Sequence, residues 1–139
     1  LGGFLVSGLS MASAAFTRAH RLLSPKDFKR VMDNPRWRAS QRQFLLLVSD
    51  NDTVIARIGF VLPRRRIPTA VARNRVKRII REVFRGQLSL LAGLDIVVMA
   101  RDGLGDLDNP GLRLAIESQF QYIARKRQRP ASPPAESIT

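Results

Sequence analysis

Cysteine is missing from the 139 residues, and histidine occurs once, as His20. Without cysteine there is no disulfide framework and no thiolate metal site. A single imidazole leaves no Ser/His/Asp triad to choose among and no His-rich metal centre; beside Arg18 and Arg21, His20 reads as a surface residue. Aromatic side chains make up only 6%, and no apolar run is long enough to span a bilayer. The opening LGGFLVSGLS is apolar but short, and it lacks the basic flank of a secretory signal. Met11 begins a more ordinary polar and basic segment, so it is read as the native start, with residues 1–10 an upstream extension and the cytoplasm the expected compartment. Scarcest of all is negative charge: 11 acids face 24 Lys and Arg, a formal net charge of +13. Self-repulsion on that scale destabilises a compact chain unless a polyanion is the working partner, either nucleic acid or an acidic membrane surface.

What is present otherwise is ordinary. Apolar residues at 45% and charged residues at 25% suit one soluble domain with a modest core. That domain is expected over residues 16–127, after a loose lead-in (1–15) and before a Pro/Ser-rich, disordered tail (128–139). In SPKDFKRVMDNP, Ser24 suits an N-cap, Pro25 the first helical position and Asp27 the first turn, which predicts a helix over 25–33. Leu23 and Phe28 have the spacing of a hydrophobic staple, and Phe28, Val31 and Met32 share an apolar face. QFLLLVS (43–49) is apolar on both faces and reads as a central strand. VIARIGFVL (54–62) follows the turn-like DND, with Ile58, Phe60 and Leu62 on one face and Arg57, Gly59 and Val61 on the other. PRRRIPTAVA is a basic loop with room for a short strand, and DIVVMAR (95–101) is another clear strand. After the loop DGLGDLDNPG, Asn109-Pro110 opens a last helix whose Leu112, Ile116, Phe120 and Ile123 recur on one side. The order α-β-β-β-α-β-α predicts a single α+β domain, three helices layered on a sheet of about four strands.

Between Arg73 and Arg85 the string RNRVKRIIREVFR sets six cations against one acid, Glu82. A solvated helix normally mixes signs, because opposite charges at i,i+4 support it and like charges weaken it. Val76, Ile79, Ile80, Val83 and Phe84 form a stripe able to seat this helix on a sheet, with Gly86 as its stop. Asn74, Arg78, Arg81 and Arg85 form a second, outward stripe, with Arg73 and Lys77 beside it. Arginine dominates, and its planar fork suits bidentate phosphate contact. From Arg57 to Arg85 there are ten cations and one acid, so most of the surplus charge sits in one short region. A merely solvated face has no need to exclude acids, and a membrane-surface helix would need the apolar stripe that the core uses. A helix-turn-helix DNA reader requires a helix just upstream, where RRRIPTA and a strand stand instead. A nucleic acid is the expected partner; neither a helix-turn-helix site for DNA nor a membrane surface is expected.

ARNRVKRIIREVFR, after RIGFVLPRRR and before DIVVMARDG, resembles the signature of the bacterial ribonuclease P protein component. The similarity runs from about Phe16 to Arg127 and takes in RLLSPKDFKRVM and RQFLLLV. One departure is PRRRIPTAV, where many members carry a Lys-Lys-Ile-Gly-Asn-Ala-Val pattern. The resemblance implies a protein subunit of an RNA-based enzyme, in which a catalytic RNA removes the 5′ leader of precursor tRNA using magnesium bound mainly by that RNA. It implies docking on the catalytic RNA by Arg73, Asn74, Arg75, Lys77, Arg78, Arg81 and Arg85, with Arg64, Arg65 and Arg66 of the preceding loop in the same RNA-binding set. It also implies a leader cleft between the first helix and the sheet, at Phe28, Met32, Phe44 and Arg57. Members more often carry an aromatic where Met32 stands, so weaker stacking is expected there. A left-handed β-α-β crossover around the basic helix is implied as well, against the general right-handed rule.

For chemistry in the polypeptide itself the acids offer one cluster, Asp102, Asp106 and Asp108 in DGLGDLDNP. A metal-dependent nuclease needs carboxylates converging on a metal pair. A turn rich in Asp and Gly ahead of an Asn-capped helix accounts for the same residues, and their spacing matches no calcium loop. No catalytic or metal-binding residue is therefore expected in the protein. Phe28 and Phe44 each suit either the core or a ring edge offered to RNA bases. The alternatives are a stand-alone RNA-binding or ribosome-associated protein without a catalytic RNA partner, and a nuclease active as protein alone.

Overall fold

The computed structural model describes residues 18–21 and 24–128. The lead-in 1–15, the start at Met11, the staple residue Leu23 and the tail beyond Gln128 lie outside the described residues, while Gln128 itself is still helical. After a 3-10 turn at Arg18–His20, helix α1 spans Pro25–Asp33. The Ser24 hydroxyl accepts from the Lys26 amide at 3.2 Å, and Pro25 occupies the first turn, where a missing N–H breaks no bond.

Strands β1 (Trp37–Ser40), β2 (Phe44–Asp50), β3 (Arg57–Val61) and β4 (Leu94–Ala100) form one mixed sheet in the order β1-β2-β4-β3. β1 and β2 are antiparallel, as are β2 and β4, while β3 and β4 are parallel. Parallel neighbours need a crossover connection, and helix α2 (Ala70–Arg85) supplies it. Helix α3 (Asn109–Gln128) follows β4. β2 is central, as its two apolar faces predict. It does not form a hairpin with β3, however, because β4 lies between them. β4 is buried from Leu94 to Val98, which requires cover on both faces of the sheet. Gly93 turns the chain into β4 at φ +80°, and a Cβ there would stand 2.9 Å from the Thr53 carbonyl oxygen.

The element order is as expected, but one strand is not where the pattern puts it. PRRRIPTAVA holds no strand: 64–66 form a turn in which Pro63 O accepts from the Arg66 and Ile67 amides, at 2.9 and 3.1 Å. Buried Ile67 pins that turn. The Thr69 hydroxyl then caps α2, accepting from the Ala72 amide at 3.1 Å, so the basic helix begins one turn before Arg73. The fourth strand is instead WRAS, an edge strand with Arg38 and Ser40 exposed, too short and polar to show periodicity.

The pleat divides the sheet into two faces. On one, Phe44, Leu46, Val48, Ile58, Ile96 and Val98 pack under α2 and α3. Val76, Ile79, Ile80 and Phe84 of α2 and Leu112, Ile116, Phe120 and Ile123 of α3 are buried there, as their stripes predict, with Val83 packed at the margin. On the other face Leu45, Leu47 and Val97 meet α1 through Val31, with Phe28, Val61 and Met99 around them.

Candidate nucleic-acid interface

Burial of its apolar stripe fixes which way α2 turns its charges. Asn74, Arg78 and Arg85 are exposed, and Lys77 and Arg81 are half-buried. Glu82, the helix's one acid, engages Arg113 of α3, with Arg78 Nε at 3.8 Å on its other oxygen. With Glu82 shared between Arg113 and Arg78, α2 carries no second acid to neutralise the rest of the outward stripe. A hollow of about 320 Å³ runs among Asn74, Lys77, Arg78, Arg81, Glu82 and Arg85.

Two members of the expected set face inward instead. Arg75 donates to Asn109 Oδ1 at 2.6 Å and to the carbonyls of Gly105 and Leu107 at 3.1 and 2.8 Å, clasping the loop before α3. Arg73 donates to the carbonyls of Ile67 and Pro68 at 2.8 and 3.2 Å. Both guanidinium groups satisfy loop carbonyls, so their fixed role is to hold the turns flanking α2. In the preceding turn Arg64 and Arg65 are exposed, while Arg66 pairs with Asp102.

The cleft residues divide as well. Phe28 lies half-buried on the α1 face, its ring so close to β3 that a Cβ on Gly59 would stand 2.4 Å from Phe28 Cζ. Met32, one turn on, is 36% exposed. Phe44 must be corrected: it is fully buried on the opposite face, under α2 and α3, and cannot line this cleft. The reason is the pleat, which turns the neighbouring Leu45 and not Phe44 towards α1. Arg57 does face α1, but held in ion pairs with Asp95 and Asp27. Those bonds raise its pKa, the hydrogen bond to Asp95 most of all.

At the β3 edge a hollow of about 210 Å³ joins the cleft to the basic helix, lined by Arg21, Phe28, Gly59, Phe60, Lys77 and Arg81 among others. The Arg81 guanidinium lies 5.3 Å from the Phe60 ring centroid, within cation–π range. Burial and, to a lesser degree, the Arg21 charge lower its pKa. Arg21 and Phe60 were not legible as site residues: Phe60 has the parity of the core, and Arg21 reaches the site through a parallel bridge to Ile58. Asp95 was missed too, although an acid near the start of an otherwise apolar strand is a signal in itself.

Asp102, Asp106 and Asp108 do not converge. Asp102 is taken by Arg66, and Asp108 Oδ1 accepts from the Gly111 amide at 2.8 Å at the start of α3. Among the described residues no three His, Cys, Asp or Glu side chains gather as metal ligands.

An α+β domain that seats an arginine-rich helix beside an apolar, aromatic-lipped cleft is by class a nucleic-acid-binding protein. The chain belongs to the ribonuclease P family: that family's model matches residues 16–124. It is 41% identical over 121 residues to the ribonuclease P protein component of Pseudomonas putida strain F1, spanning 87% of this chain and 90% of that protein. The component from Pseudomonas aeruginosa PAO1 is 42% identical over 123 residues, 88% and 91% of the two chains. Among solved structures, the RNase P protein of Staphylococcus aureus superposes with a TM-score of 0.65 at 27% identity, covering 80% of this chain and 97% of that one. The RNase P protein of Thermotoga maritima gives 0.65 at 27%, covering 73% and 96%. The fold is thus that of RNase P proteins, an RNA-binding family of tRNA processing. No helix among the described residues is long and apolar enough to cross a membrane.

Proposed function

We propose that this chain is the RNA-binding subunit of a cytoplasmic ribonuclease P, docking on a catalytic RNA that performs the hydrolysis and removes the 5′ leader of precursor tRNA. The observation that carries it is the outward face of α2: Asn74, Arg78 and Arg85 exposed, Lys77 and Arg81 beside them, and Glu82 drawn aside to Arg113. These cations lower the repulsion between phosphates of folded RNA. Arg64 and Arg65 extend the same surface, while Arg73 and Arg75 brace it from within.

The cleft beside α1 takes the single-stranded leader. Phe28 offers a ring edge and Met32 a soft apolar lip, above a floor of Leu45, Val61 and Met99. Stacking of this kind tolerates any base, as a leader of variable sequence requires. Through the hollow at Lys77 and Arg81 a leader held in the cleft lies against the helix that faces the catalytic RNA. Magnesium is assigned to the RNA; among the described residues no carboxylate cluster gathers to hold it.

The test supplies precursor tRNA and magnesium, with and without a bacterial RNase P RNA. Cleavage stimulated only when that RNA is present is the expected result. Cleavage by protein freed of RNA would instead make it a nuclease, and tight RNA binding with no effect on cleavage a stand-alone module. Assembly through six to eight phosphates should also weaken steeply with salt, by roughly 0.7–0.9 log units per contact per decade.

A further inference from the structure

We propose that Asp95 is a positioning residue for leader binding: it latches α1 to the sheet and so sets the width of the cleft before any RNA arrives. The inference rests on the leader-cleft reading above. Asp95 is the second residue of β4 and is wholly buried. Its Oδ1 accepts from Arg57 Nε at 2.7 Å and from Asn51 Nδ2 at 2.9 Å, and its Oδ2 from Arg57 Nη2 at 2.7 Å and from Arg30 of α1. Arg57 reaches across to Asp27 of α1 at 3.3 Å, and Arg30 lies 3.8 Å from the same carboxylate. Two acids and two arginines thus balance to zero in a chain whose net charge is +13.

Helical geometry gives this cluster its leverage. At 100° per residue Val31 points into the sheet, Phe28 and Met32 lie on the flank towards the cleft, and Asp27 and Arg30 on the opposite flank. On the cleft side, α1 is stopped by β3 itself, because the Phe28 ring fills the space a side chain at residue 59 would take. On the far side the Asp95 cluster stops it from rolling away. A hydrogen-bonded ion cluster built on a buried carboxylate is a weak source of stability, but it constrains geometry. Holding the cleft open in advance spares a leader the ordering of α1 when it binds.

Asp95→Asn attacks the latch at its centre, but it removes the buried charge that Arg30 and Arg57 share and is prone to misfold. Asp27→Asn combined with Arg30→Gln severs both α1 arms at half-exposed positions and leaves the Arg57–Asp95 pair intact. Because the described fold contains no cysteine, spin labels at Lys29→Cys on α1 and Leu114→Cys on α3 report the height of α1 over the sheet. In the free protein, at temperatures where circular dichroism shows it folded, the double variant should broaden that distance distribution. In the holoenzyme with RNase P RNA, its KM for a long-leader precursor tRNA should rise on the order of tenfold at unchanged kcat, with a short-leader substrate unaffected. An unaltered distance distribution, or equal KM changes for both leaders, would overturn the latch. Wild-type holoenzyme indifferent to leader length would overturn the cleft reading and this inference with it. A discriminating wild type matched by an equally discriminating double variant overturns the inference alone.

Discussion

Phe44 and Leu45 are neighbours in β2 and face opposite sides of one sheet, and the two sides are covered very differently. Above Phe44 lie α2 and α3, which press a broad apolar cluster onto the sheet. Above Leu45 lies α1 alone, nine residues long, fastened at one flank by ions and open at the other. The closed side holds the fold together and aims the charges of α2 outward. The half-open side has apolar surface to spare for something that is not protein. Function in this chain sits where packing is incomplete, and each prediction below sets one side against the other.

The largest effect should come from Phe44→Ala. A fully buried phenylalanine removed without repacking costs about 3–5 kcal/mol, so the melting temperature should fall steeply, while what remains folded still discriminates long from short leaders. Loss of that discrimination with little loss of stability would put Phe44 back in the cleft. Phe28→Ala is the counterpart. Its ring is half-buried, so a stability loss of roughly 1–2 kcal/mol is expected, with long-leader affinity falling more than short-leader affinity. A parallel fall for both substrates would remove the cleft from leader binding.

The same contrast recurs along α2. Arg75→Ala should cost about 1–3 kcal/mol, because the Gly105 and Leu107 carbonyls and Asn109 lose their donor. Arg78→Ala should leave the melt within about 0.5 kcal/mol yet weaken assembly with the catalytic RNA, reducing the magnitude of the log–log salt slope by roughly 0.7–0.9. If Arg78→Ala destabilises and Arg75→Ala does not, the division into bracing and RNA-facing arginines is reversed.

Much of this was legible in the sequence, for reasons that also explain the failures. The stripes of α2 and α3 repeat over several turns, and a long periodic signal fixes both the helix and its buried face. The caps of α1 were equally plain, with Ser24, Pro25 and Asp27 in order. By contrast WRAS has four residues and no alternation to read, so β1 was missed and a strand was expected in the basic loop instead. Phe44 failed differently: its strand was recognised, but with apolar residues on both faces no parity says which face a helix covers. Nor does composition tell a clasping arginine from an exposed one. Arg75 and Arg78 are chemically identical on one helix, and only the loop before α3 separates their roles.

The smallest effect should come from the margin of the closed side, where His20 meets Phe84 edge-on, their ring centroids 6.5 Å apart. Burial lowers the His20 pKa below its ordinary 6.5. The folded protein therefore takes up this proton less readily than the unfolded chain. Its contribution is fully present above pH 6.5 and is lost as pH falls through the folded value. Melts should show a slight decline as pH drops below that point, and His20→Gln should flatten it. Were the variant to keep the same decline, the margin over Phe84 would be wet enough to solvate an imidazolium, and the closed side would end short of residue 20.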